Sequence, residues 1–88
     1  MTKSTNSKWY VYILQCADKT LYTGITNNLD KRVATHNGGT ASKYTRARLP
    51  VKVIYSERKR KRSTALRREA EIKRFTRQKK LSLIRESI

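Results

Sequence analysis

The sequence has very few residues of the kinds that build disulfide frameworks, metal cages or membrane spans. It contains one cysteine, one histidine, one proline and three glycines among 88 residues. The lone Cys16 excludes an internal disulfide and is typical of a reducing cytosol. One cysteine and one histidine are also too few for a zinc finger. Residues 1–8 lack an apolar signal core, and the longest hydrophobic run, 9–14, is too short to cross a bilayer. We therefore expect a soluble, cytoplasmic protein.

Acidic residues are scarce as well, which leaves a large positive charge. Six Asp and Glu stand against 22 Lys and Arg, for a net charge of +16. A bound polyanion would relieve the resulting self-repulsion, and nucleic acid is the leading candidate because neutralised phosphates release counterions. A membrane surface is the weaker interpretation, since the basic residues are not confined to one helix face. Residues 58–88 alone hold 13 of the basic residues and three of the acidic ones.

The length and the order of patterns predict one small domain over residues 8–88, after a disordered tail over 1–7. Residues 9–16 and 21–25 are rich in aromatic and β-branched residues and flank a turn composition, which predicts a β-hairpin. A helix is predicted over 29–36, with Thr26, Asn27 and Asn28 as N-cap candidates. The remaining predicted elements are a loop over 40–49, a strand over 51–57, a loop or solvated helix approach over 58–62, and helices over 65–76 and 79–86. The order β-β-α-β-α-α predicts an α+β fold, a three-stranded antiparallel sheet flanked by helices.

The helix over 65–76 carries two glutamates with different expected positions. At 100° per residue, Leu66, Ala70 and Ile72 define an inward arc that includes Glu69, whereas Glu71 points the opposite way. We interpret Glu71 as an ordinary surface ion-pair former. An unpaired carboxylate aimed at the protein body is costly, so Glu69 must meet an arginine, a hydroxyl network or a metal ion.

The first predicted helix places a cation and an imidazole side by side. Leu29 and Val33 form its inward stripe, and Arg32 and His36 lie at i and i+4 along the edge of that stripe. Both could overhang a groove. The alternative is that Arg32 simply pairs with Glu69 and that His36 is a surface residue near the helix cap.

Tyrosine is unusually frequent for so small a core. Five tyrosines accompany one phenylalanine, and each buried phenol needs a hydrogen-bond partner. Tyr10 and Tyr12 alternate onto one face of the first strand, and Tyr22 lies in the second. Phenols near basic residues can accept protons or bind phosphate, and neighbours such as Lys31 or Lys43 could lower a phenol pKa. Tyr10 and Tyr55 are interpreted as half-buried sheet residues with solvated hydroxyls.

Two three-residue segments carry a family resemblance. Val11–Ile13 resembles the "GIY" element and Tyr22–Gly24 the "YIG" element, with Arg32 ten residues after Tyr22 and Glu69 on a later helix. Over most of its length the chain resembles the GIY-YIG nuclease superfamily, in its small bacterial branch where the module stands alone. Many members carry an asparagine or similar polar residue after the metal-binding glutamate, and this chain has no asparagine after position 37.

The resemblance implies a role for each of these residues. Glu69 would be the sole protein ligand of a divalent cation, Mg²⁺ or Mn²⁺. Tyr22, Tyr12 or both would orient and deprotonate the attacking water, and Arg32 would bind the scissile phosphate. His36 would take a supporting acid–base or phosphate role. Nucleic-acid contacts are expected from Gly24, Lys31, Lys43, Tyr44, Arg46, Arg58, Lys59, Arg60, Lys61 and Arg62.

Three functions remain open at this point. The first is a metal-dependent DNA endonuclease, monomeric and directed by backbone or structure, with a partner protein as one source of specificity. The others are a catalytically idle module that binds DNA or structured RNA, and a small ribosome-associated basic protein. Glu69 discriminates among them, because a carboxylate aimed at a phosphate groove repels the ligand unless a cation lies between them.

Overall fold

A computed structural model describes residues 8–87, so the expectation for residues 1–7 lies outside the described part of the chain. The elements are β1 (Trp9–Gln15), β2 (Leu21–Thr26), α1 (Leu29–Asn37), α2 (Lys43–Arg46), β3 (Lys52–Lys59), α3 (Arg62–Lys73) and α4 (Arg77–Glu86). The α+β class and the predicted order are confirmed. The short α2 is an addition, because residues 40–49 were predicted to be loop throughout.

The three strands form one antiparallel sheet in the order β2-β1-β3. The predicted hairpin joins β1 to β2, and its turn places Lys19 at a φ of 73°. β1 is central and covered on both faces, as its sequence predicts. Across the sheet, Tyr12 pairs with Gly24 on one side and with Ser56 on the other. This register determines which side chains meet at the candidate site.

The two faces of the sheet pack against different helices. On the face that we call the α3 face, Val11 and Ile13 pack with Ala65 and Ile72, and all four are fully buried. Phe75 and the apolar residues of α4 complete this cluster. The opposite side, the α1 face, buries the side chains Tyr12, Leu14, Cys16 and Val51 beneath Leu29 and Val33 of α1.

The predicted inward arc of α3 is wrong for Leu66 and Ala70 and right for Glu69. Ala65 and Ile72 are the buried positions, whereas Leu66 is 38% exposed and Ala70 is also exposed. Glu69 lies four residues after Ala65 and three before Ile72, so it shares the buried side of the helix. The sequence of α3 has few apolar residues, and two of the three that defined the predicted arc, Leu66 and Ala70, are exposed.

Several boundaries also differ from the prediction. β3 continues to Lys59 because pairing with Trp9 and Tyr10 extends it, so the first two residues of the basic run are strand and not loop. α3 begins at Arg62, three residues early, and Lys61 makes no side-chain cap bond. The predicted cap of α1 is confirmed, since Asn28 accepts a hydrogen bond from the Lys31 amide. Among residues 8–87, no helix combines the length and apolarity that a bilayer span requires.

Candidate active site

Tyr12 is the centre of the candidate site. Its side chain is 1% exposed and lies over Gly24, its partner in β2. A Cβ at position 24 would come within 2.6 Å of the Tyr12 hydroxyl oxygen. Gly24 is therefore needed first to make room for Tyr12, whereas the sequence suggested only that it lets the DNA backbone approach. The Tyr12 ring extends over β2, and because β2 is an edge strand, the ring points toward the outer edge of the sheet.

His36 is entirely buried, in contrast to both expectations for it. Its Nε2 lies 3.0 Å from the Tyr12 hydroxyl oxygen, and its Nδ1 lies 2.9 Å from Oγ1 of Thr45. The histidine is 0% exposed, so it is neither a surface residue near the cap nor an imidazole overhanging an open groove. It supports the site from behind Tyr12. Thr45, a residue of α2 that is also fully buried, gave no signal in the sequence.

Burial controls the protonation of this pair. Burial lowers the pKa of His36, and the neighbouring Arg32 guanidinium lowers it further, so the imidazole is neutral at neutral pH. Burial raises the pKa of Tyr12, with smaller contributions in the same direction from Tyr22 and Glu69, while Arg32 opposes the shift. The expectation that basic neighbours lower the pKa of a site phenol is therefore wrong for Tyr12. Tyr12 is a neutral phenol held by a neutral imidazole.

A series of side-chain contacts connects His36 to the surface. The Tyr22 ring packs edge-on against His36 at a centroid distance of 5.1 Å, and Tyr44 stacks on Tyr22 at 6.0 Å. The Arg48 guanidinium lies 4.0 Å above the Tyr44 ring. Arg48 also donates to the Tyr44 carbonyl oxygen and forms an ion pair with Asp18 at 3.1 Å. Tyr44 thus contacts both Tyr22 and Arg48 and remains 38% exposed.

Arg32 lies in the first turn of α1, beside Tyr12 and His36. Its side chain is half-buried, and its Nε has neither solvent contact nor a hydrogen-bond partner within residues 8–87. Among the described residues it makes no ion pair with Glu69, so the alternative in which the two simply neutralise each other is not what the structure shows. The guanidinium remains available for an anion.

Glu69 approaches the same group from α3. Its side chain is 18% exposed, and among residues 8–87 its carboxylate forms one ion pair, with the 55% exposed Lys73 at 3.3 Å. The described chain holds no cluster of three or more His, Cys, Asp or Glu side chains that could cage a metal. A single carboxylate nevertheless fits a hard cation such as Mg²⁺, which keeps most of its waters. Glu71, by contrast, is 58% exposed and pairs with Arg68, as predicted.

The basic run at the end of β3 divides between the two faces of the sheet. Arg58 is exposed and pairs with Tyr10, so it shares the α1 face with Tyr12. Lys59 lies on the α3 face, where its amine contacts Glu57 at 3.4 Å. The Arg62 guanidinium lies 5.7 Å from the centre of the Trp9 ring. Exposed side chains among the other predicted nucleic-acid residues are Lys31, Lys43, Tyr44, Arg46, Arg60 and Lys61.

Comparison with known proteins decides the family. The model of the GIY-YIG catalytic domain matches residues 8–82. The chain belongs to the GIY-YIG family. It is 52% identical over 80 residues to a UPF0213 protein of Staphylococcus haemolyticus, covering 91% of this chain and 98% of that one. This family membership implies a nuclease-type function.

Two solved structures are similar to this GIY-YIG chain. The solution structure of a UPF0213 protein from Bacillus halodurans has a TM-score of 0.57 at 39% identity, over 88% of this chain and 82% of that one. That of a protein from E. faecalis has a TM-score of 0.62 at 37% identity, over 90% and 84%. The chain therefore spans most of the length of these small relatives.

Proposed function

We propose that this GIY-YIG protein is a metal-dependent endonuclease that hydrolyses DNA phosphodiesters in DNA repair, recombination or processing. The observation that carries the proposal is the meeting of an unpaired guanidinium, two phenols and a half-buried carboxylate beside the edge strand β2. The electrostatic influence of both Arg32 and Glu69 on Tyr12 supports this grouping. The charges of Arg32 and Glu69 do not neutralise each other. Such a pair suits a site in which the arginine binds an anionic substrate and the carboxylate binds a cation.

Exposure separates the roles of the two tyrosines. Tyr12 is buried and its pKa is raised, so it neither reaches solvent readily nor loses its proton at neutral pH. Tyr22 is half-buried and is the phenol that can contact an attacking water. We therefore assign the orientation of water to Tyr22. Tyr12 holds Arg32 and His36 in place.

Charge neutralisation at the phosphate falls to Arg32 and Glu69. Arg32 would bind a non-bridging oxygen of the scissile phosphate through its guanidinium, whose Nε has no hydrogen-bond partner within residues 8–87. Glu69 would hold the divalent cation, which, when bound, supplies further neutralisation of the developing charge. Lys73, whose side chain is 55% exposed, can return to solvent when the cation takes its place beside the carboxylate.

The surface around the site favours a duplex backbone over a base sequence. Exposed basic residues on the α1 side of the molecule contact phosphates without reading bases, so specificity would come from DNA structure or from a partner protein. We assign this surface to Lys31, Lys43, Tyr44, Arg46, Arg58, Arg60 and Lys61. Lys59 and Arg62 are left out, because the Lys59 amine lies with Glu57 and the Arg62 guanidinium lies over Trp9, both on the α3 face.

Cleavage assays with supercoiled and branched DNA in Mg²⁺ test the proposal. Glu69→Gln and Arg32→Ala should each reduce cleavage by at least about 100-fold, with circular dichroism showing a retained fold. Glu71→Gln, an exposed glutamate on the same helix, is the matched control and should cleave normally. If the wild-type protein binds both DNAs in a salt-sensitive manner and cleaves neither, the proposal fails and the idle binding module replaces it.

A further inference from the structure

Thr45 has a buried polar contact that the cleavage mechanism does not use. It is 0% exposed, lies in the short α2, and places Oγ1 at 2.9 Å from His36 Nδ1. The same hydroxyl lies 3.4 Å from the carbonyl oxygen of Ser42. A hydroxyl sealed in a core needs a structural or functional reason, because burying it without a partner costs free energy.

The contacts form a continuous line whose direction is fixed by its two ends. At one end the Arg32 guanidinium, which can only donate hydrogen bonds, lies beside the Tyr12 hydroxyl. At the other end the Ser42 carbonyl can only accept. Donation must therefore run from Arg32 through Tyr12, His36 and Thr45 to Ser42. Each hydroxyl on this line accepts from the arginine side and donates toward Ser42.

Only one tautomer of His36 fits that direction. We propose that Thr45 is a positioning residue that holds His36 with its proton on Nδ1, so that Nε2 accepts the Tyr12 hydroxyl proton. The Tyr12 oxygen then offers its lone pairs to Arg32. With the proton on Nε2 instead, the Tyr12 hydroxyl hydrogen would turn toward the guanidinium, and two donors would face each other.

The consequence for the proposed nuclease is that Thr45 holds Arg32 through two intermediates. A Thr45→Val change removes the acceptor of the Nδ1 proton while keeping the size of the side chain. The neutral imidazole should then move its proton to Nε2, which can still donate to the Tyr12 oxygen. Arg32 then loses the Tyr12 oxygen as its hydrogen-bond acceptor, although Arg32 itself is unchanged. This kinetic consequence rests on the proposed function, whereas the tautomer does not.

Nitrogen NMR on the intact protein tests the tautomer directly, because the chain contains a single histidine. Long-range proton–nitrogen correlations at neutral pH should show a protonated Nδ1 and an unprotonated Nε2 in the wild type and in Thr45→Ser. Thr45→Val should show protonation of Nε2 or a mixture. Thr40→Val, a change at an exposed threonine, should leave the spectrum unchanged.

Kinetics on the same variants test the positioning role. Thr45→Val should lower kcat by about 10- to 100-fold, the usual range for residues that orient a functional group through a hydrogen bond, with a smaller effect on KM. Thr45→Ser should restore most of the rate. A wild-type spectrum with Nε2 protonated overturns the proposal, even if Thr45→Val fails to fold. A tautomer change with normal cleavage overturns the positioning role. Absence of cleavage in the wild type overturns the proposed nuclease and leaves the tautomer measurement decisive.

Discussion

The two faces of the sheet are buried to a similar extent but filled with different chemistry. The α3 face is covered with apolar side chains such as Val11 and Ile72. The α1 face buries Tyr12, His36 and Thr45, three polar side chains that hydrogen-bond to one another. Buried polar groups add little net stability even when satisfied. The comparison shows that, apart from Glu69, the α3 face chiefly stabilises the fold, whereas the α1 face uses core volume to position functional groups.

The largest stability effect should come from the α3 face. Ile72→Ala should lower the free energy of unfolding by about 2–5 kcal/mol, because it leaves a cavity in a fully buried cluster. Leu66→Ala, at an exposed position of the same helix, should cost less than about 1 kcal/mol. Urea denaturation measures both. If Ile72→Ala also abolishes cleavage where the protein is still folded, the two faces do not have separate roles.

Acid should lower the stability that the α3 face contributes, because it protonates Glu57. Burial of this carboxyl favours its neutral form, but hydrogen bonds from Arg68 and Tyr55 outweigh burial and lower its pKa to about 2. The stabilisation is therefore complete above the ordinary pKa of 4.5 and is lost as the pH falls toward 2. It amounts to at most about 3 kcal/mol. Unfolding measured from pH 6 to pH 2 should show this dependence.

Matched variants identify the carboxyl responsible for the acid effect. Glu57→Gln should flatten the pH dependence, and Glu71→Gln, whose side chain is exposed, should leave it nearly unchanged. The same network refines a sequence interpretation, because the Tyr55 hydroxyl, expected to be solvated, donates a hydrogen bond to Glu57. Burial and that contact raise the pKa of Tyr55 to about 12. An unchanged pH profile in Glu57→Gln would contradict the assignment.

On the α1 face, Gly24→Ala should damage function more than stability. The new methyl group would meet the Tyr12 hydroxyl oxygen at 2.6 Å, so the ring must shift away from His36 and Arg32. We expect a loss of about 1–3 kcal/mol and a loss of most cleavage activity. Gly38→Ala, where the nearest contact is 3.3 Å, serves as the control. Normal cleavage by Gly24→Ala would show that the position of Tyr12 is unimportant.

The smallest effect is expected for DNA binding at the surface, where the neighbouring β3 residues Arg58 and Lys59 lie on opposite faces of the sheet. Arg58→Ala should reduce the slope of log binding constant against log salt by about one, the value for one lost phosphate contact. Lys59→Ala should leave the slope unchanged, because that amine contacts Glu57 on the α3 face. Salt titrations with duplex DNA measure both. Equal salt slopes in the two variants would contradict the assignment of the α1 side as the DNA-binding surface.

The sequence predicted the parts of the structure that depend on local pattern. The strands, the hairpin turn, the Asn28 cap and the inward position of Glu69 all follow from short-range signals. The four-residue α2 was missed, although Ser42 accepts hydrogen bonds from two following amides as an N-cap would. That signal lay within a segment too short to show helical periodicity.

What could not be predicted depends on contacts between distant parts of the chain. His36 was placed at the margin of a groove because its helix position says nothing about α2, which places the buried Thr45 beside it. The strand state of Arg58 and Lys59 arises from pairing with Tyr10 and Trp9 of β1, which lie 48 and 50 positions earlier in the chain. The raised pKa of Tyr12 results from burial that the alternation of one strand does not reveal.

The most direct test of the central claim is paramagnetic broadening of the NMR amide signals by Mn²⁺. Because Glu69 is proposed to hold the cation beside the edge strand, amides of Tyr22, Gly24 and Arg32 should lose intensity first in the wild type and should keep it in Glu69→Gln. Broadening centred on Glu71 or Glu86, or the same broadening in Glu69→Gln, would contradict the account.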